Sequence, residues 1–138
     1  MAALVIDASV SAAWFLEDET SSLTEAALDQ VVRDGAAVPA VWPFEMANVL
    51  VMAERRGRIG SARAANIRVA LLALPVHIDD AETLSLVSAI VGMARAHRLS
   101  AYDAAYLELS LRTGLALATR DAALRAAAAQ LGVPLFAG

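Results

Sequence analysis

The hydrophobic positions of this chain alternate between short unbroken runs and longer stretches with helical spacing. Ala3-Leu-Val-Ile-Asp7 is an apolar run closed by an acid, which predicts a buried strand. A helix is predicted from about Ser9 to Glu17. A second covers Thr20 to Asp34, with Gly35 where a helix-terminating glycine belongs. Ala37 to Trp42 reads as a second strand. Pro43, whose fixed φ suits the first helical turn, then opens a helix that Gly57 closes. Ser61 to Leu74 is helical up to Pro75, Val76 to Ile78 is a short strand, and Ala81 to Arg98 is one long helix. Ser100 to Thr113 is another helix, ended by Gly114. Leu115 to Ala118 is a strand, Asp121 to Leu131 a helix, and Val133 to Phe136 a last short strand. Strands separated by helices need right-handed crossovers, so the pattern predicts an α/β fold. The expected form is a three-layer α/β/α domain with a central parallel sheet. No internal repeat or Pro/Gly-rich linker interrupts it, and residues 1–138 read as one domain.

Composition narrows the function classes. The chain is 59% hydrophobic, but 33 of its 138 residues are Ala, so the apolar excess reflects helix more than membrane. The longest uncharged interior run, Thr83 to Ala94, falls short of the roughly 18 apolar residues that a spanning helix needs. The first basic residue is Arg33, so the N-terminus lacks the charged start of a signal peptide, and a cytoplasmic protein is expected. Cysteine is absent, which removes disulfides, zinc ribbons and thiol nucleophiles. All 11 basic residues are Arg. The lack of Lys excludes a P-loop lysine, Schiff-base chemistry and a Ser–Lys dyad. A net charge of −4 argues against coating nucleic acid by charge alone. It leaves room for an enzyme that grips nucleic acid at a few cation-neutralised carboxylates.

Most of the 15 acids have ordinary explanations. Glu17, Asp18 and Glu19 form a solvated loop; Asp79, Asp80 and Glu82 precede a helix, where the dipole favours negative charge. Four others stand apart. Asp7 follows the first strand, Glu45 lies in the first turn after the second, Asp103 lies in the first turn of the Ser100 helix, and Asp121 follows the Leu115–Ala118 strand. Singly, each could be a cap or a dipole partner, and Ser100-Ala-Tyr-Asp103 matches a capping box. Together they differ, because parallel strands put their carboxyl ends on one edge, where ligands bind. Four carboxylates on such an edge repel one another unless cations neutralise them, and hard oxygen ligands suit Mg²⁺ or Mn²⁺.

The segments around these acids are Leu-Val-Ile-Asp7-Ala-Ser9, Pro43-Phe-Glu45-Met-Ala-Asn48, Ser100-Ala-Tyr102-Asp103-Ala-Ala-Tyr106 and Thr119-Arg-Asp121. In order and spacing the chain resembles PIN-domain ribonucleases, specifically the VapC-type toxins of VapBC toxin–antitoxin pairs, over nearly its whole length. The resemblance implies metal-dependent cleavage of RNA. It assigns Asp7, Glu45, Asp103 and Asp121 to the acidic set around Mg²⁺, with Asp7 and Asp103 the main ligands and Ser9 and Asn48 as supporting polar residues. It also implies two partners, a VapB-type antitoxin and a second copy of the chain. Hydrolysis by water activated at such a site needs no Ser, Cys or Lys nucleophile. Either Glu45 or Asp121 could orient or deprotonate that water.

Other features admit two readings. Arg55, Arg56, Arg58, Arg63 and Arg68 concentrate charge around Gly57, either as a solvated turn or as an RNA backbone clamp. Trp14-Phe-Leu16 is either core or a groove for a partner segment. His77 and His97 lie on separate elements and read as structural. Three alternatives remain: a receiver-like domain, a phosphatase of the haloacid dehalogenase type, and a non-catalytic interaction domain. The first two want a Lys that the chain lacks. The third gives no reason for four acids on one edge.

Overall fold

Four short strands form the middle layer of the computed structural model, which describes residues 2–138, the side chain of Glu17 excepted. They are β1 (Leu4–Ile6), β2 (Ala36–Val38), β3 (Val76–Ile78) and β4 (Ala116–Ala118). The sheet order is β3-β2-β1-β4 and every pairing is parallel, with Leu4 opposite both Ala36 and Ala116. Seven helices cover the two faces: α1 (Ala8–Ala13), α2 (Ser22–Asp34), α3 (Trp42–Arg55), α4 (Ser61–Leu72), α5 (Val87–His97), α6 (Ala101–Thr113) and α7 (Ala122–Gln130). This is the expected α/β architecture. Because β1 is flanked on both sides and covered on both faces, Leu4, Val5 and Ile6 are fully buried. Burying each such side chain contributes roughly 1.5–3 kcal/mol. Helix α6 packs against β1 and sends Tyr106, Leu107 and Leu109 into the same core.

Four boundaries depart from the sequence expectation, each for a local reason. Helix α1 stops at Ala13 rather than Glu17. Beyond it the Trp14 indole donates to the Thr24 carbonyl at 2.7 Å, pinning the turn to α2. Strand β2 ends at Val38 because Pro39 has no N–H for the ladder, and Trp42 opens α3 instead of closing the strand. The predicted helix from Ala81 to Arg98 is divided. Thr83–Leu86 form a 3₁₀ turn whose N–H groups at Leu84 and Ser85 are capped by the Glu82 carboxylate, and α5 follows. That helix closes on Arg98 at φ 54°, a left-handed conformation that an L side chain adopts at a cost of about 1–2 kcal/mol. The Val133–Phe136 segment is no strand. It makes one bridge, Leu117 with Leu135, held by Leu117 N–H to the Pro134 carbonyl and Phe136 N–H to the Leu117 carbonyl.

Candidate active site at the carboxyl edge of the sheet

The strand order places the end of β1 between the ends of β2 and β4, and each crossover begins there. Asp7 is the first residue after β1. Its carboxylate caps α1 by accepting from Val10 N–H at 3.0 Å, and it is only 3% exposed. Ser9 Oγ donates to the same oxygen, Oδ1, at 2.7 Å. Thr119 Oγ1, from the loop after β4, donates to Oδ2 in a short hydrogen bond. A carboxylate has about four lone-pair positions, so three are used and the free one is on Oδ2. Burial raises the proton affinity of Asp7 despite these donors, and the charge of Asp103 raises it further.

The other acids are drawn to this carboxylate by packing. Ser11 Oγ donates to the Asp7 carbonyl at 2.7 Å and accepts from the Trp42 indole at 2.9 Å, which fixes the start of α3 against α1. Glu45 therefore enters from the first turn of α3, where it accepts from Tyr106 Oη at 2.6 Å. Its pKa is raised by burial first, then by the charges of Asp103 and Asp7, against the lowering effect of the Tyr106 bond. Asp103 lies in the first turn of α6, half-buried, and its pKa is raised by burial and then by the charge of Asp121. Asp121 is exposed and spends Oδ2 on the N-terminus of α7, accepting from Leu124 N–H at 2.8 Å. The four predicted acids thus share one electrostatic neighbourhood.

Ser9 joins them directly, since it bonds Asp7 and accepts from Arg120 N–H at 3.0 Å. Asn48 does not. It is exposed and lines a groove with Ala12, Leu16, Glu19 and Met52, with no hydrogen bond to the acids among the described residues. Two further residues, Thr119 and Tyr106, belong to the site without having been among the sequence candidates. Their signals were a hydroxyl two residues before Asp121 and an aromatic hydroxyl three residues after Asp103, one helical turn on. The basic cluster also divides. Arg58 is paired with Asp18 and Glu19, and Arg63 donates to the Phe15 carbonyl. Arg55, Arg56 and Arg68 form no ion pair among the described residues.

The donor chemistry fits a divalent cation. Asp7, Glu45 and Asp103 all hold protons more tightly than usual, and no guanidinium is paired with any of the four acids among the described residues. No group of three or more His, Asp or Glu among these residues forms a ready-made metal cage. Mg²⁺ does not require one, since it is commonly held by one or two carboxylates with water and substrate phosphate completing its shell.

Parallel strands whose carboxyl ends gather acids define a class of α/β domains that work on ligands at a sheet edge. The chain matches the PIN domain over residues 4–130 and belongs to that family, whose members are typically nucleases and usually bind divalent metals. The crystal structure of PAE2754 from Pyrobaculum aerophilum is similar, with a TM-score of 0.70 at 25% identity, covering 92% of this chain and 87% of that one. No curated protein matches. No helix among the described residues is long and apolar enough to cross a membrane.

Proposed function

We propose that this protein is a metal-dependent endoribonuclease, using Mg²⁺ or Mn²⁺, that acts as the toxin of a toxin–antitoxin pair. The observation that carries the reading is the set of mutually repelling carboxylates left without a protein cation at the edge of a PIN-domain sheet. Asp7 and Asp103 would hold the cation, with Glu45 and Asp121 beside them. A cation bound there would neutralise the acids and polarise the phosphoryl group of the substrate. The chain's own residues do the rest. Ser9, Thr119 and the Val10 N–H fix both oxygens of Asp7, so its remaining lone pair is oriented before anything binds. Of the two acids that could take a proton from the attacking water, Glu45 is half-buried and oriented by the Tyr106 hydroxyl, whereas Asp121 is exposed and has one oxygen committed to α7. Tyr106 Oη, donating to Glu45, sets which of its oxygens faces the site.

The toxin role requires a partner that silences the site. A groove of about 270 Å³ lies between α1 and α3, lined by Leu16, Met52, Asn48 and Arg56 among others. An extended antitoxin segment fits it, with an apolar side chain on Leu16 and Met52 and a basic one reaching the carboxylates. Phe44 and Tyr102, at 77% and 62% exposure, sit one residue from Glu45 and Asp103 and offer an apolar surface to a second copy of the chain.

Purified chain incubated with RNA should cleave in Mg²⁺ or Mn²⁺, lose cleavage in EDTA and recover it when excess cation returns. Asp7→Asn keeps the helix cap, since Asn caps as well as Asp. It should nonetheless lower the rate on the order of 10²–10³-fold. Full cleavage in EDTA, or by Asp7→Asn, refutes the enzyme reading. Co-expression with the protein encoded beside it should give a stable complex without nuclease activity; a chain that is harmless alone and captures no such partner refutes the toxin role.

A further inference from the structure

We propose that Arg120 is the side chain that holds an RNA phosphate at this site, and that Glu19 keeps it in reserve until RNA arrives; the proposal rests on the nuclease reading of the acids. The four carboxylates repel a phosphodiester, so a substrate bound beside them needs a cation supplied by the protein as well as any metal. The chain has no Lys, and three of its other arginines, Arg58, Arg112 and Arg125, are committed to protein partners. Arg58 binds both oxygens of Asp18, at 2.7 and 2.9 Å, and Glu19 at 3.2 Å. Arg112 is held by Asp79 and Glu108, and Arg125 donates to the Thr119 carbonyl.

Arg120 differs in both its backbone and its side chain. It stands between Thr119, which bonds Asp7, and Asp121, and its own N–H donates to Ser9 Oγ. The network that orients Asp7 therefore also fixes the Cα of Arg120. Its guanidinium has one loose partner, Glu19 Oε1 at 3.6 Å, and both side chains are about one-third exposed. An exposed pair at that distance is weak, whereas a guanidinium fork on a phosphate makes two charge-assisted hydrogen bonds. Glu19 is meanwhile retained by Arg58 through its other oxygen, so it stays paired when Arg120 leaves. The exchange leaves no charge unpaired: Arg120 turns from Glu19 to the phosphate, and Glu19 remains on Arg58.

The test measures binding of a labelled single-stranded RNA oligonucleotide in EDTA beside steady-state cleavage in Mg²⁺, over a range of salt. Arg120→Gln should weaken binding and raise KM about tenfold, leave kcat and the melting temperature unchanged, and reduce the salt slope by about 0.7. Arg120→Lys should recover part of the affinity but not the wild-type value, because it lacks the fork. Glu19→Gln should tighten binding about two- to fivefold with Arg120 present, and have no effect in the Arg120→Gln background. Unchanged affinity and salt slope in Arg120→Gln overturns the proposal, as does a gain from Glu19→Gln that persists without Arg120. A wild-type chain that binds RNA but cleaves none with any metal overturns the nuclease reading instead, and the binding arm still decides the role of Arg120. A wild-type chain that binds no RNA overturns both.

Discussion

Replacing Asp103 with Asn is expected to raise the melting temperature of the metal-free protein by a few degrees and to lower RNA cleavage on the order of 10²–10³-fold. The two effects share a cause. Asp103 lies in the first turn of α6, where the helix dipole favours negative charge by about 0.3–1 kcal/mol. Its pKa is nonetheless raised, by burial and then by the charge of Asp121, against the lowering effect of the Ser100 hydroxyl. A carboxyl with a raised folded-state pKa binds its proton more tightly when folded. Its contribution to stability therefore falls as pH climbs from the ordinary value of 3.8 through the raised one, and it is unfavourable at neutral pH. Asp7 and Glu45 are shifted in the same direction and add to that slope. Asn removes the charge while keeping the shape, so the variant should be more stable in EDTA and its stability should vary less with pH. Excess Mg²⁺ should reverse the order. A ligand at 100 times its Kd stabilises the folded state by about 2.7 kcal/mol, a gain open to the wild type and largely closed to the variant. Thermal unfolding with and without Mg²⁺ reads both. A destabilised Asp103→Asn in EDTA, or a wild type indifferent to divalent cations, contradicts this account.

The second large effect lies away from the site. Arg112 bridges the buried Glu108, with Nε at 2.9 Å, and Asp79, with Nη2 at 2.5 Å, tying α6 to the end of β3. The two acid side chains are only 8% and 13% exposed, so Arg112→Met strands both. Breaking a fully buried pair costs about 3–5 kcal/mol. The Arg112 side chain is 35% exposed and water can partly replace it, so about 2–3 kcal/mol is expected here. Asp79 adds a pH signature. The Arg112 bond, more than any other contact, holds its carboxyl below the ordinary range. Its stabilisation is present above the unfolded value and is lost as pH falls through the depressed one, so the penalty in Arg112→Met should shrink toward acid. Combining Glu108→Gln with Arg112→Met should restore part of the loss. Urea denaturation at neutral and acid pH checks all three, and a neutral penalty below about 0.5 kcal/mol would show the bridge to be ornamental.

The sequence was most legible where one residue type does one job. Val76–Ile78, bounded by Pro75 and by acids, is a strand with the expected limits. The continuous apolar run before Asp7 could only be buried on both faces. Parallel order alone then implied that acids following strands would meet on one edge. What escaped were choices made by side chains across the fold. Glu82 capping a 3₁₀ turn divides an otherwise helical pattern, and nothing in its spacing distinguishes that from a helix start. Pro134 looks compatible with a strand until its missing N–H leaves one bridge. Asn48 is one helical turn from Glu45, yet it lines the groove, because a turn of 3.6 residues carries a side chain about 40° around the helix at i+4 and 60° at i+3. Thr119 and Tyr106 reach their acids from elements whose relative placement no local pattern contains.

The hydroxyl of Thr119 and the carboxylate of Asp7 are 112 residues apart in sequence, and β4, which delivers Thr119, is the last of the four described strands to leave the ribosome. Until then β1 lacks one neighbour, Asp7 lacks the donor on Oδ2, and neither Arg120 nor Asp121 has arrived. The order of synthesis thus imposes a delay: the acid edge comes together only after β4 has followed β1, β2 and β3 out of the ribosome.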